Sequence, residues 1–149
     1  MSVLEIKPGV HWVGSIDWNI RYFHGPAYST HRGTTYNAYL VIGEKTALID
    51  TVYTPFADEL VDKLKTVLGD LGKIDYIVVN HVEMDHSGAL PKIKELCPQA
   101  PIICSPRAVE PLQKHFDTTG WEFQVVKTGD SLDLGGKTLS FIEAPMLHW

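Results

Sequence analysis

Cysteine is scarce in this chain. Its 149 residues hold two, Cys97 and Cys104, which form no CxxC pair. A disulfide framework is excluded, and a reducing cytoplasm is the expected location. Basic residues are also few: 13 Lys and Arg stand against 18 Asp and Glu, a formal net charge of -5. A binder of nucleic-acid phosphates usually carries a basic stripe, and none is present, so no nucleic-acid partner is expected. No apolar run approaches the ~20 residues of a membrane span. The opening MSVLEIKPGVHWVG has no basic segment followed by an apolar one, so neither a secretory signal nor a membrane association is expected. Internal repeats, low-complexity tracts and flexible linkers are missing as well.

What is present is an ordinary globular balance, 44% hydrophobic and 21% charged, with enough apolar material for a core. Val10 to Val13 reads as a short strand, Asp17 to Gly25 as an irregular aromatic stretch, and Thr34 to Ile42 as a strand. Gly43-Glu44-Lys45 turns it into a second strand, Thr46 to Asp50. From Pro55 to Leu68, apolar residues recur with a 3.6-residue period, predicting an amphipathic helix with Thr54 as its N-cap. Asp75 to Val79 reads as a buried strand, about Gly88 to Leu96 as a helix, Pro101 to Cys104 as a strand and Pro106 to Phe116 as a helix. A strand over Glu122 to Lys127 follows. Ser131 to Leu134 then pairs with Lys137 to Glu143 across Gly135-Gly136. This order predicts an α/β fold, a mixed sheet flanked by helices. The last strand runs into Pro145-Met146-Leu147-His148-Trp149 with nothing to cover it, so the chain reads as an unfinished domain.

Histidine is the first informative residue. Of seven, His81 and His86 share one six-residue segment with Glu83 and Asp85. The segment, His81-Val82-Glu83-Met84-Asp85-His86, follows a buried strand and precedes a helix. If it is extended, His81, Glu83 and Asp85 point to one side, and His86 approaches after the turn. Four such side chains suit two metal ions. Imidazole takes borderline metals, whereas carboxylates favour harder ions and can bridge a pair. That balance leans towards iron or manganese over hydrolytic zinc. The plainer alternative is a solvated polar turn. Against it, so many polar groups beside an apolar strand are expensive to bury without metal or pairing. His148, at another strand end, is the next candidate.

These residues resemble the flavodiiron proteins, oxygen and nitric oxide reductases. The likeness lies in HWVGSIDWN, FHG, TTYNAYLV, LIDTV, IDYIVVNHVEMDHSGALP and PMLHW, and covers essentially the whole chain. The H-x-E-x-D-H form is the most specific part, since hydrolytic relatives of the fold usually place His where Glu83 stands. The resemblance implies a metallo-β-lactamase-like αββα sandwich, apparently truncated. Residues 1–149 would be its first part, with the remainder and a flavodoxin-like FMN domain absent. It further implies that His81, Glu83 and His148 bind a first iron and Asp85 and His86 a second. The implied chemistry is reduction of O2 to water or NO to N2O at a di-iron site. FMN, a rubredoxin-like electron donor and a homodimer belong to the complete family protein.

By the same resemblance His24 lines the substrate pocket as a proton donor, the catalytic candidate. Tyr28 and Trp149 are weaker candidates, read as pocket wall, as facing the flavin or as plain core, with Trp149 taken as the cofactor-binding one. Asp50, in LIDT, reads equally as a support for the metal loop, through a spare imidazole N–H, or as a turn residue. His11, His31 and His115 lack ligand-like neighbours and read as structural or surface. The acidic residues from Asp58 to Asp70 read as a solvated helix face. Two competing functions stand beside the reductase: a zinc-dependent hydrolase of the same fold, and an inactive truncated fragment.

Overall fold

The chain's structure is a computed structural model describing residues 3–23 and 25–144. It begins with a hairpin that the sequence pattern does not signal. Strand β1 (Leu4–Lys7) returns as β2 (Val10–Trp12) through Gly9, at φ 71°, a conformation that glycine adopts freely. The stretch expected to be irregular, Asp17 to Gly25, follows from β3 (Ser15–Asp17) and contains β4 (Tyr22–Phe23); beyond it, after a 3-10 turn, comes β5 (Tyr28–Ser29).

The single strand expected over Thr34 to Ile42 is two. Strand β6 (Thr34–Tyr36) pairs with β3, while β7 (Tyr39–Ile42) pairs with β2 and with β8 (Thr46–Ile49). The break falls at Asn37-Ala38, where the Asn37 amide oxygen accepts the Trp12 indole N–H at 3.0 Å.

Helix α1 (Ala57–Leu68) follows a 3-10 turn over Thr54–Phe56. Thr54 does not cap it, contrary to the sequence reading. Its hydroxyl instead donates to the Gly88 carbonyl at 3.1 Å. Then come β9 (Tyr76–Val79), α2 (Met84–Ser87), α3 (Leu90–Leu96), β10 (Ile102–Cys104), α4 (Pro106–His115) and β11 (Phe123–Val125). A closing hairpin joins β12 (Ser131–Asp133) to β13 (Thr138–Ser140) across Gly135-Gly136, as expected.

The main sheet has seven strands in the order β1-β2-β7-β8-β9-β10-β11. Its first half is antiparallel, and from β8 to β11 it is parallel, with helices as crossovers. Alternation sends Leu40, Leu48, Ile77, Val79 and Ile102 to one face, where Leu60, Leu64, Leu90, Ile93 and Leu112 of the helices cover them. Each fully buried Leu or Ile there contributes roughly 1.5–3 kcal/mol. On the other face Val41 and Ala47 pack beneath Leu134 of the closing hairpin. That hairpin is pinned by the Lys45 N–H donating to Leu134 O at 2.8 Å and by Lys137 Nζ donating to Ile42 O at 2.8 Å. Not all of the acidic helix face is solvated. Glu59 pairs at 2.7 Å with Lys63, itself 4% exposed.

Candidate metal centre

Parallel strands deliver their next residues to one edge of a sheet, where α/β folds place their sites. Strand β9 does this for the histidine-rich segment. Its exit is tied to β8, since the Asn80 N–H donates to Asp50 Oδ1 at 2.6 Å. The segment is not extended throughout, which corrects the sequence reading. Glu83, at φ -65° and ψ 154°, is its last extended residue. The Glu83 carbonyl accepts from His86 N at 2.9 Å and Ser87 N at 2.8 Å, starting α2 there. Asp85 and His86 therefore arrive on a helical turn. The helix expected from Gly88 also begins early and in two pieces. Ala89 N donates to Val52 O instead of continuing the helix, and Pro91 has no N–H to give.

The turn brings the donors together in twos. His81 Nε2 lies 3.6 Å from Glu83 Oε2, and His86 Nε2 lies 3.4 Å from Asp85 Oδ2. The two imidazoles meet edge to face with centroids 5.2 Å apart. His86 Nδ1 stands 3.1 Å from Asp50 Oδ2. A carboxylate can only accept there, so Nδ1 carries a proton, and Nε2, on the Asp85 side, is the nitrogen left to hold a metal ion. This hydrogen bond raises the pKa of His86 above the ordinary imidazole value, against the opposing pull of burial. Asp50 is thus bonded to the loop that carries His86 and, at φ 55°, also sits at a turn, so its geometry has features of both roles left open by the sequence.

Each pair offers one imidazole nitrogen and one carboxylate oxygen, a donor set that fits iron in kind. Among the described residues, however, no group of three or more His, Cys, Asp and Glu side chains is placed to hold a metal ion. His148, expected to complete one set, lies outside the described residues, as do His24 and Trp149.

Two hollows adjoin the donors. A cleft of about 270 Å³ is lined by Tyr22, Phe23, Tyr36, Tyr53, Glu83 and Asp85, among others. The aromatic wall was not read from the sequence, where these tyrosines carry no signal beyond ordinary core residues. Tyr36 is buried and donates its hydroxyl to Asp17 Oδ2 at 3.1 Å, and burial followed by that bond raises its pKa. A larger hollow of about 780 Å³, at the ends of β9, β10 and β11, is lined by His81, Ser105, Arg107, Lys127 and Glu143, among others. Tyr28 is largely exposed and is not among the described residues lining either hollow. Of the histidines set aside, His11 lies 3.9 Å from Glu5. Both cysteines are free and buried. Among the described residues no helix is long and apolar enough to cross a membrane.

The family model described as ODP family beta lactamase matches residues 34–149. A nitric oxide reductase of Moorella thermoacetica is 59% identical over 146 residues, covering 98% of this chain and 36% of that protein. An anaerobic nitric oxide reductase flavorubredoxin of Salmonella arizonae is 50% identical, covering 100% of this chain and 31% of that protein. Among solved structures, rubredoxin oxygen:oxidoreductase of Desulfovibrio gigas superposes with a TM-score of 0.94 at 46% identity, over 99% of this chain and 36% of the other. The flavodiiron protein of Giardia intestinalis gives 0.93 at 36% identity, over 100% of this chain and 36% of the other. The chain thus spans about a third of the length of the curated relatives it matches. A mixed sheet with flanking helices, the H-x-E-x-D-H turn at its edge and these likenesses agree: the chain belongs to the ODP beta-lactamase family, among the flavodiiron proteins.

Proposed function

We propose that this chain supplies the metal-holding part of an oxidoreductase that reduces O2 to water, or NO to N2O, at a non-haem di-iron site. The observation that carries this reading is the standing of His81 with Glu83 and of His86 with Asp85 as adjacent nitrogen–oxygen pairs. The names of the relatives, nitric oxide reductase and rubredoxin oxygen:oxidoreductase, support it. Glu83 supports it further, since a carboxylate at that place favours iron over hydrolytic zinc.

In this reading His81, Glu83 and His148 hold one ion and Asp85 and His86 the other. When bound, the iron pair supplies the electron storage that the reduction requires. The two carboxylates offset the cationic charge, and Asp50 fixes the tautomer and aim of His86. The aromatic cleft beside Glu83 and Asp85, at about 270 Å³, has ample room for a small gas molecule. His24 would donate a proton to the reacting gas, and Trp149 would face the flavin. FMN on a flavodoxin-like domain, a rubredoxin-like electron donor, a homodimer and a cytoplasmic location complete the proposal, with residues 1–149 as the first part of the metal domain.

Elemental analysis of the intact protein, joined to anaerobic gas consumption with a reduced rubredoxin, tests this. Two irons per subunit and loss of NO or O2 are expected. Zinc in place of iron, or an iron-loaded protein that consumes neither gas, overturns it.

A further inference from the structure

The residues after β8 grip the metal loop at several successive positions. Asp50 holds the His86 ring through Nδ1, and Val52 O accepts Ala89 N at 2.9 Å. Between them, Thr51 donates to the His86 carbonyl twice, from its backbone N–H at 2.8 Å and from its hydroxyl at 2.7 Å. Thr51 is fully buried. In a regular strand, neighbouring side chains point to opposite faces, so Asp50 and Thr51 should not reach the same residue. They do because Asp50 lies at φ 55°, the described non-glycine residue with a positive φ. This kink turns both side chains towards the loop.

Two donors on one carbonyl fix the peptide plane of His86, and hence the direction in which its side chain leaves. The ring bond from Asp50 sets rotation and tautomer, but it acts on a side chain whose root Thr51 has already placed. A backbone N–H alone would leave that plane free to tilt about a single bond. The N–H occupies one lone pair of the carbonyl and the buried hydroxyl the other, so the hydroxyl adds a constraint on the peptide plane beyond the one the backbone supplies. From this arrangement we infer that Thr51 is a positioning residue for His86, holding it as a ligand of the second metal ion through its hydroxyl. The inference rests on the two-metal reading above.

The test compares the intact protein with Thr51→Val, which keeps shape and N–H but removes the hydroxyl, and Thr51→Ser, which restores it. Each metal-free protein is titrated anaerobically with Co2+ alone, reading stoichiometry and the visible ligand-field absorption, with circular dichroism as the fold check. The unaltered protein takes up two ions. Thr51→Val is expected to keep the first ion at unchanged affinity and to bind the second roughly 10- to 100-fold more weakly, the range for lost outer supports of metal ligands. Its absorption should change as an imidazole leaves the coordination sphere, and Thr51→Ser should bind as the unaltered protein does. If Thr51→Val does not fold, Thr51→Ala is judged by the same criteria. Wild-type behaviour in a folded hydroxyl-free variant overturns the inference, as does an equal weakening of both ions or a failure of Thr51→Ser to restore the second. Uptake of fewer than two ions by the unaltered protein brings down the two-metal reading itself, and this inference with it.

Discussion

Oδ2 of Asp50 lies 3.1 Å from Nδ1 of His86, while its other oxygen accepts the Asn80 N–H at 2.6 Å. One buried carboxylate therefore ties the end of β9 to the α2 turn. Asp50→Ala strips both acceptors and forces alanine into a left-handed backbone. The lost bonds amount to about 2 kcal/mol, and the backbone adds roughly 1 kcal/mol. Asp50→Asn tolerates the backbone and keeps an acceptor for Asn80, so it should lose about a third as much. Urea denaturation of the metal-free protein measures both, and equal losses would show that the backbone conformation is not at stake.

Gly88 leaves no room for a side chain. A Cβ built there would lie 2.8 Å from both Thr54 N and Thr54 Oγ1 and 2.5 Å from Met84 O. Gly88→Ala should destabilise the fold by roughly 1–3 kcal/mol, the range for overpacking, and prise α2 from the 3-10 turn ahead of α1. The expected companion is weaker metal uptake. A variant that melts and binds metal as the parent does would contradict the contact.

Lys63 is buried, yet it donates to the Gly14 carbonyl and to Glu59, and its ammonium stands 4.6 Å from the Trp12 ring centroid. Breaking a buried pair by removing one partner typically costs about 3–5 kcal/mol. Glu59 retains some contact with water, so Lys63→Met should fall below that range, at about 2 kcal/mol. Thermal unfolding reports this, and an unchanged midpoint would mean that the lysine contributes nothing net.

Burial pushes the thiols of Cys97 and Cys104 up to about 11, from 9.0. In the unfolded chain they ionise from pH 9, whereas in the folded chain they stay neutral. Their contribution to stability is therefore complete below pH 9 and is lost as pH rises to 11, on the order of 2 kcal/mol per thiol. Lys94, whose pKa burial lowers, works in the opposite sense and offsets part of the loss. Denaturant titrations from pH 8 to 10.5 should show declining stability that flattens in a double Cys→Ala variant. At pH 8 the native thiols should react slowly with iodoacetamide and quickly in urea.

Much of this fold is legible in the sequence because its local preferences agree with its tertiary environment. The 3.6-residue period of α1, the Gly135-Gly136 hairpin and the apolar run of β9 all read correctly. The errors fall where partners distant in sequence decide. His81 to His86 alternates in the manner of a strand, yet Ser87 bonds Val82 O at 2.7 Å and Thr51 grips His86, so the chain coils early. Strand β1 shows no burial period, because all of its residues are exposed at the sheet edge. The donor residue types were legible and their pairing was implied by the family resemblance alone, whereas the Tyr36–Tyr53 wall of the cleft was not legible. Neither leaves a spacing signature.

The close approach at Gly88 has a mechanical side. The glycine backbone meets the Thr54 N–H and hydroxyl there, and the glycine side of the contact has no rotamers with which to absorb a displacement. A push on the 3-10 turn that leads into α1 would pass with little damping into the turn carrying Asp85 and His86. The stiffness of the metal loop is thus borrowed from a helix whose outer surface faces water.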